Sequence, residues 1–168
     1  MKTKALLDKY KKLISGLLKV KEEDIKFLVL QKWTHNIGKA EFKEVGEILY
    51  EKKDDITYFD WCEGKYKVCY KDKEISSFEL YQMPHCCAIL VSCKSLVNTE
   101  FRNKRIATTL NSMRQDIGRL LGYSLLLCTD IEKNNYQRQL LATNGWKDIY
   151  NVHNKRTENK VFISVINL

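Results

Sequence analysis

A basic stretch in the second half of the chain has the residue types of a phosphate-binding helix start. Residues 97–110 read VNTEFRNKRIATTL, with Arg102, Lys104 and Arg105 at the point where an apolar pattern gives way to a helical one. The first N–H groups of a helix lack backbone acceptors, and the helix dipole adds positive charge there, so anions bind at this end. Cations are disfavoured at the same place unless an anion neutralises them. The stretch therefore predicts a phosphate site, with a plain basic surface loop as the alternative.

The cysteines supply thiols but do not have the spacing of a metal site. Cys62, Cys69, Cys86, Cys87, Cys93 and Cys128 include no C-x-x-C pair. The PHCC stretch at residues 84–87 has metal-binding residue types, but neighbouring strand residues point to opposite faces. Zinc sites draw on paired short spacings. We interpret the cysteines as small, reduced, buried thiols, and no metal site is predicted.

The elements that position the basic stretch begin with predicted helices. Apolar residues at helical spacing predict helices over residues 3–19 and about 39–53. The first has a lysine-rich outer face, so it could lie on a membrane surface. Packing of the apolar stripe on the domain's own sheet is the commoner use of such a helix.

Strand patterns surround the second predicted helix. An apolar run predicts a strand at residues 24–33. The segments KYKVCYK, 75–83 and 87–97 then predict an antiparallel meander, in which Pro84 ends the second strand because proline cannot donate to a ladder. The last of these strands leads directly into the basic stretch.

After the basic stretch, helices and strands alternate. A helix is predicted over about residues 103–121, an apolar strand buried on both faces at 123–129, and a helix over about 133–144. Gly122 and Gly145 are natural helix stops. Two further strand patterns around the NKRTEN turn predict a closing hairpin. The sum is one α/β domain with a mixed sheet.

Composition limits the class of protein. A chain of 168 residues suits one domain, and its longest apolar runs are far too short to cross a bilayer. The N-terminus lacks the pattern of a signal peptide, so we expect a cytoplasmic protein, in a bacterial or phage-infected cell. The net charge of +8 suggests an anionic partner, although the lysines are spread over the whole chain.

The order of elements and the basic stretch together resemble the GNAT superfamily of acyl-CoA-dependent N-acyltransferases. That superfamily carries a Gln/Arg-x-x-Gly-x-Gly/Ala fingerprint after a strand ending in V-x-P-x-Y-R. Arg102 and Ala107 match it, whereas Arg105 stands at the first glycine and Thr99 replaces the proline.

A second part of the resemblance lies downstream, and the whole covers about residues 64–168. The superfamily shows Asn-x-x-Ala-x-x-Leu-Tyr-x-x-x-Gly-Phe, and this chain reads NNYQRQLLATNGW. Asn134 and Gly145 match, while Gln137 replaces the alanine and Leu141 the tyrosine. The closing NVHNKRTENKVFISVINL is similar to the C-terminal hairpin of phage-type members.

The resemblance implies a fold and a donor substrate. The fold is the GNAT α/β fold, with a central, mixed, mostly antiparallel sheet flanked by helices, here with an extra N-terminal helix. The single domain spans 1–168, with an acceptor-side segment at 1–60 and an acyl-CoA-binding core at 64–168. The donor, most consistent with acetyl-CoA, would lie between two parallel strands that splay apart.

The residues implied to bind the acyl-CoA follow from the matched positions. They are Ser95, Leu96 and Val97 along the thioester arm, Arg102, Asn103, Lys104, Arg105, Ile106 and Ala107 around the pyrophosphate, and Asn134 on the pantetheine arm. We expect Arg105 to keep a right-handed helical backbone, with its side chain turned toward the 3′-phosphate or solvent.

Acyl transfer to an amine needs a neutral amine, a polarised carbonyl and a protonated or tolerable leaving thiolate. The resemblance places the oxyanion donor at a backbone N–H near Val97 and the acid at the tyrosine that Leu141 replaces. Tyr136, Cys128 or water could substitute as the acid.

The base has several candidates. Glu79 lies in a predicted strand and Asp130 follows one, so either carboxylate could reach the acceptor. His85 and His153 are the histidine alternatives. The sequence does not choose among them.

For the acceptor, we expect a nucleic-acid amine, as in phage DNA modification. The aromatic and lysine residues of 58–73 and the basic tip at 153–160 motivate this expectation. Trp33, His35 and Trp61 could rim the acceptor pocket. Small amines or protein lysines are the alternative acceptors, and a binding module without catalysis is the alternative function. We expect a monomer or a homodimer.

Overall fold

The computed structural model describes residues 3–31, 43–45, 50–53, 57–60 and 64–168. Within these ranges the chain forms three α-helices: α1 (Thr3–Leu18), α2 (Ile106–Leu120) and α3 (Asn135–Thr143). The strands are β1 (Ile25–Gln31), β2 (Lys43–Glu44), β3 (Tyr50–Lys53), β4 (Thr57–Asp60), β5 (Gly64–Tyr70), β6 (Lys73–Met83), β7 (Cys86–Val97), β8 (Leu125–Ile131), β9 (Lys147–Asn154) and β10 (Asn159–Asn167).

Eight strands form one sheet in the order β2-β1-β5-β6-β7-β8-β10-β9, and β3 pairs with β4 separately. Every neighbouring pair in the large sheet is antiparallel except β7 and β8, which are parallel and joined by α2. The mixed, mostly antiparallel sheet predicted from the sequence is therefore confirmed.

The helix predicted over about residues 39–53 is wrong wherever the structure describes that segment. Lys43 and Glu44 pair with β1, and Val45 donates its N–H to the carbonyl of Phe27 at 2.8 Å. Residues 50–53 pair with 57–60 as a hairpin. Residues 43–44 find hydrogen-bond partners at the edge of β1, and residues 50–53 find them in residues 57–60. Apolar residues at helical spacing do not indicate such partners, and these tertiary contacts override the local preference.

The predicted N-terminal helix is confirmed, and its apolar stripe packs on its own domain. Leu6, Tyr10 and Ile14 are fully buried. Lys9 Nζ and the Tyr10 hydroxyl both donate to Asp116 of α2, at 2.7 and 2.8 Å. The face that a membrane would have taken is therefore occupied. No helix in the described ranges is long and apolar enough to span a bilayer.

The prediction that β8 is buried on both faces is wrong. Leu126 and Cys128 are buried on the face that the helices cover, whereas Leu127 is half-buried and Thr129 is exposed on the other. The described helices lie on the first face, since α2 contacts Ser92, the partner of Cys128 in the sheet. The run of consecutive apolar residues in β8 thus belongs to a strand that the helices cover on one face.

Candidate acyl-donor cleft and active site

The two parallel strands separate after a short paired region. Residues 89–92 of β7 pair with residues 125–128 of β8, and the register ends at Ser92 and Cys128. Each strand continues on its outer side, β7 pairing with β6 as far as Val97 and β8 with β10 as far as Ile131. The facing edges beyond Ser92 form a gap whose backbone N–H and C=O groups are available to a ligand.

A β-bulge in β7 lies in this gap. Cys93 pairs with Glu79 and Leu96 with Ser77, so Lys94 and Ser95 together lie opposite one residue of β6. Lys94 has a positive φ of 48°. A bulge re-aims the backbone of its strand. Here the bulge begins two residues after Ser92, the last residue of β7 in register with β8.

A cleft of about 400 Å³ joins the end of β7, the start of α2 and the start of α3. It is lined by Ser95, Leu96, Val97, Phe101, Arg102, Asn103, Arg105, Ile106, Ala107, Asn134, Tyr136 and Gln137. Of the residues predicted to bind the donor, all but Lys104 line this cleft. Lys104 instead places its Nζ over the Phe101 ring, 5.7 Å from the centroid.

The backbone at Arg105 corrects one prediction. Arg105 has φ 59° and ψ 13°, a left-handed conformation, and α2 begins at Ile106 rather than near residue 103. Asn103 also has a positive φ, 61°. The tight turn into the helix requires this geometry, which glycine adopts freely and other residues adopt at a cost of about 1–2 kcal/mol. The right-handed backbone predicted for Arg105 is therefore wrong.

The first turn of α2 lines the cleft with Ile106 and Ala107. Thr109 is the first residue whose N–H reaches a helical carbonyl, that of Arg105 at 3.1 Å. The N–H groups of Ile106, Ala107 and Thr108 therefore precede the helical ladder. Arg102 lies beside them, where its Nε donates to the Val97 carbonyl at 3.1 Å. The basic loop is thus held against the end of β7.

Asn134 begins the helix on the other side of the cleft. Its Oδ1 accepts a hydrogen bond from the Gln137 N–H at 3.2 Å, so it is the N-cap of α3. Tyr136 follows it, 61% exposed and on the cleft wall. A proton donor at Tyr136 and a pantetheine contact at Asn134 remain predictions that this placement permits.

Glu79 is a buried carboxylate beside the bulge. It is 6% exposed. The Tyr81 hydroxyl donates to it, Lys94 Nζ lies 3.2 Å away and Cys93 Sγ 3.9 Å away. Burial raises the pKa of Glu79, but the hydrogen bonds from Tyr81 and Lys94, together with nearby lysine charge, outweigh it and lower the pKa overall. Glu79 is therefore ionised at neutral pH, as a base must be.

Asp130 has a different environment. Its side chain is buried beneath α3, where Arg138 Nη1 lies 3.3 Å from it and Arg138 Nη2 lies 2.6 Å from Asp148. Burial raises the pKa of Asp130, and the charge of Arg138 opposes that effect only in part. The carboxylate thus already has a structural partner. A base role for Asp130 stays a prediction.

The other titratable candidates lie in unfavourable places. His85 is in the turn between β6 and β7, at the opposite end of β7 from Val97. His153 is exposed and pairs with Glu158 at 3.0 Å. Burial raises the pKa of the Cys128 thiol to about 12, so this group stays protonated.

Sequence reasoning missed Arg114, a fully buried arginine in α2 whose guanidinium donates to Ser92 at 2.8 Å. A signal was present. Arg114 lies at helical spacing from Leu110 and Ile117, on the apolar stripe that predicts the helix. An arginine on such a stripe is buried together with its charge, which is rare in proteins and indicates a specific role.

Trp33, His35 and Trp61, predicted to rim the acceptor pocket, lie outside the described residues, as does Cys62. In the described part of the chain, no three histidine, cysteine or acidic side chains group as metal ligands would.

Comparison with known proteins places this geometry. No protein-family model matches the sequence, and no protein of curated function matches it. Among solved structures, the IAA acetyltransferase from Bacillus cereus ATCC 14579 superposes with a TM-score of 0.58 and 12% identity, over 64% of this chain and 79% of that one. A GNAT family acetyltransferase from Elizabethkingia anophelis, with acetyl-CoA bound, gives 0.58 and 15%, over 64% and 77%.

A third match is the ribosomal-protein-S18-alanine N-acetyltransferase from Escherichia coli, with a TM-score of 0.52 and 8% identity, over 61% of this chain and 67% of that one. At these identities the likeness speaks for the fold, and this chain has the fold of the GNAT acetyltransferases.

Proposed function

We propose that the protein is an acyl-CoA-dependent N-acyltransferase with acetyl-CoA as its donor. One observation carries the proposal. A single cleft joins the open edge of β7 to the basic, N–H-rich start of α2, which are the two features that a thioester arm and a pyrophosphate need. The resemblance in sequence and the fold support the same donor.

The chain's own groups divide the binding between them. The N–H groups of Ile106 and Ala107 and the side chains of Arg102 and Arg105 would hold the pyrophosphate and its charge. The open backbone edge of residues 95–97 and the side chain of Asn134 would align the pantetheine arm. This arrangement directs the thioester to the gap beside the bulge.

Glu79 is the base that the geometry favours. It is buried, ionised and adjacent to Cys93 in the bulged region of β7. In the proposed reaction it takes a proton from the acceptor amine, directly or through water, while a backbone N–H near Val97 polarises the thioester carbonyl. Leu141, which is buried and apolar, supplies no proton to the leaving sulfur.

Calorimetric titration with coenzyme A tests the donor site. The wild type should bind, and Arg105→Glu should weaken binding because it places a negative charge beside the pyrophosphate. Arg156→Glu, the same change on the exposed turn between β9 and β10, is the matched control and should bind as the wild type does. A wild type that does not bind coenzyme A would refute the proposal.

A non-catalytic binding module is the second candidate, and the apolar side chain of Leu141 at the position of the superfamily's tyrosine favours it. Coenzyme A binding without turnover of acetyl-CoA on any pool of amines would establish this alternative.

The acceptor that we propose is an amine in nucleic acid, supported by the net charge of +8 and by the exposed basic turn at residues 155–158. The aromatic stretch contributes less, because Tyr66 is buried and stacks on Phe78 with ring centroids 5.1 Å apart. Affinity for a DNA duplex should fall with salt by about 0.9 in log K per phosphate contact and decade. Label from acetyl-CoA found only in polyamines or proteins, with no salt-sensitive binding, would rule this acceptor out.

A further inference from the structure

Arg114 is a buried cation without a counter-charge in the described structure. It is 2% exposed, and its guanidinium donates to the Ser92 hydroxyl at 2.8 Å, to Asn111 Oδ1 at 3.4 Å and to the Leu110 carbonyl at 3.3 Å. All three acceptors are neutral. Among the described residues, no carboxylate forms an ion pair with Arg114.

Asn111 adds a second buried donor to the same place. Its Oδ1 accepts from Trp146 Nε1 at 3.1 Å as well as from Arg114, which fixes the orientation of the amide. Its Nδ2 then has no hydrogen-bond partner, although Asn111 is 0% exposed. A cluster that holds a cation without a carboxylate partner and an unpartnered N–H donor has the chemistry of an anion site.

The cluster lies on the helix-covered face of the sheet, next to the residue at which β7 and β8 separate. Ser92, which holds the guanidinium, is the last residue of β7 in register with β8. Burial lowers the pKa of Arg114 to about 10, so the guanidinium remains charged at neutral pH. Removing a charge from water lowers the stability of the folded protein unless an opposite charge interacts with it.

We propose that Arg114 stabilises the negative charge that develops on the donor's sulfur as the thioester breaks. This inference rests on the proposed function. The amine nitrogen forms a bond to the carbonyl carbon, the C–S bond breaks and its electron pair stays on sulfur. The nitrogen loses its proton to Glu79 or water. Leu141 gives the sulfur no proton, so a nearby positive charge stabilises the thiolate instead.

The bound thiol of coenzyme A provides a direct readout. Desulfo-coenzyme A, which lacks the sulfhydryl group, binds through the same phosphates and pantetheine arm but cannot form a thiolate. An opposite charge nearby lowers a pKa by about one unit or more. In the wild type, the affinity of coenzyme A relative to desulfo-coenzyme A should therefore rise about fourfold between neutral pH and the free thiol's pKa of about 8.5, where Arg114 is still charged.

Arg114→Met should abolish this rise while leaving the affinity for desulfo-coenzyme A unchanged. Met113→Leu, a neutral change at the adjacent buried position of α2, is the matched control and should keep the rise. If Arg114→Met does not fold, Ser92→Ala removes the 2.8 Å bond that holds the guanidinium and should reduce the rise.

The outcomes separate the two proposals. A wild type that binds neither compound refutes the proposed function. A wild type that binds both with a pH-independent ratio, or an Arg114→Met variant that keeps the rise, overturns the role of Arg114. A strong preference for succinyl-CoA over acetyl-CoA that Arg114→Met removes would also overturn it, because the cation would then bind a carboxylate of the acyl group.

Discussion

Arg105→Gly should stabilise the fold, although it replaces a long side chain with none. Arg105 has φ 59° and ψ 13°, which costs a non-glycine residue about 1–2 kcal/mol. Glycine removes that strain but loses about 0.5–1 kcal/mol through its greater freedom in the unfolded chain. The difference spans about 0–1.5 kcal/mol and centres on a gain of about 0.75 kcal/mol in the free energy of unfolding. Because Arg105 is exposed, little packing is lost.

Urea denaturation of matched variants measures this gain. Arg105→Ala removes the same charge but keeps the positive φ, so it should be about 1 kcal/mol less stable than Arg105→Gly. Lys104→Gly, one residue earlier and without a positive φ, should be destabilised by up to about 1 kcal/mol. If Arg105→Gly is no more stable than Arg105→Ala, the left-handed turn does not exist and the reasoning fails.

Three further predictions concern other parts of the chain. Burial raises the pKa of Asp116, but hydrogen bonds from Lys9 and Tyr10 lower it overall. The ionised carboxylate therefore stabilises the fold at neutral pH, and this stability is lost as the pH falls through the pKa of Asp116 in the folded protein. Asp116→Asn should therefore flatten the acid limb of a Tm–pH profile. Asn134→Ala should cost about 1 kcal/mol as a lost N-cap, and Asn134→Asp, which keeps the cap, isolates any loss of coenzyme A affinity in calorimetry. Glu79→Gln should lower kcat by about 100-fold or more and remove the acid limb of the pH–rate profile, whereas an unchanged profile would exclude Glu79 as the base.

The elements that the sequence predicted well are those whose signals are local. Gly122 and Gly145 end α2 and α3 with φ of 81° and 82°, as their positions after apolar helical patterns indicate. The meander was predictable for the same reason, since each strand ends at a turn or at Pro84. Residues at the boundary itself end these helices and strands, so the boundaries can be predicted from the adjacent sequence.

The features that sequence reasoning missed depend on partners distant along the chain. Residues 43–44 join the sheet because β1 has an open edge, and no local pattern records that edge. The positive φ of Arg105 is set by the turn into α2, and an arginine at that position gives no local signal of a left-handed backbone. The burial of Arg114 follows from the packing of α2 on β7, where its partner Ser92 is 22 positions away in the sequence.

The alternation of side chains along β7 separates the two charges of the proposed reaction. Ser92 and Cys93 are neighbours, so their side chains point to opposite faces of the sheet. Ser92 holds Arg114 on the face covered by helices, and Cys93 contacts Glu79 on the other face. Glu79 pairs with Lys94 at 3.2 Å on its own face, so the sheet prevents a second, direct pairing with the Arg114 guanidinium. The sheet keeps Glu79 and Arg114 apart on its two faces, at the residues where β7 separates from β8. In the proposed reaction, the nitrogen would lose its proton on one side of the sheet while the charge on sulfur is stabilised from the other.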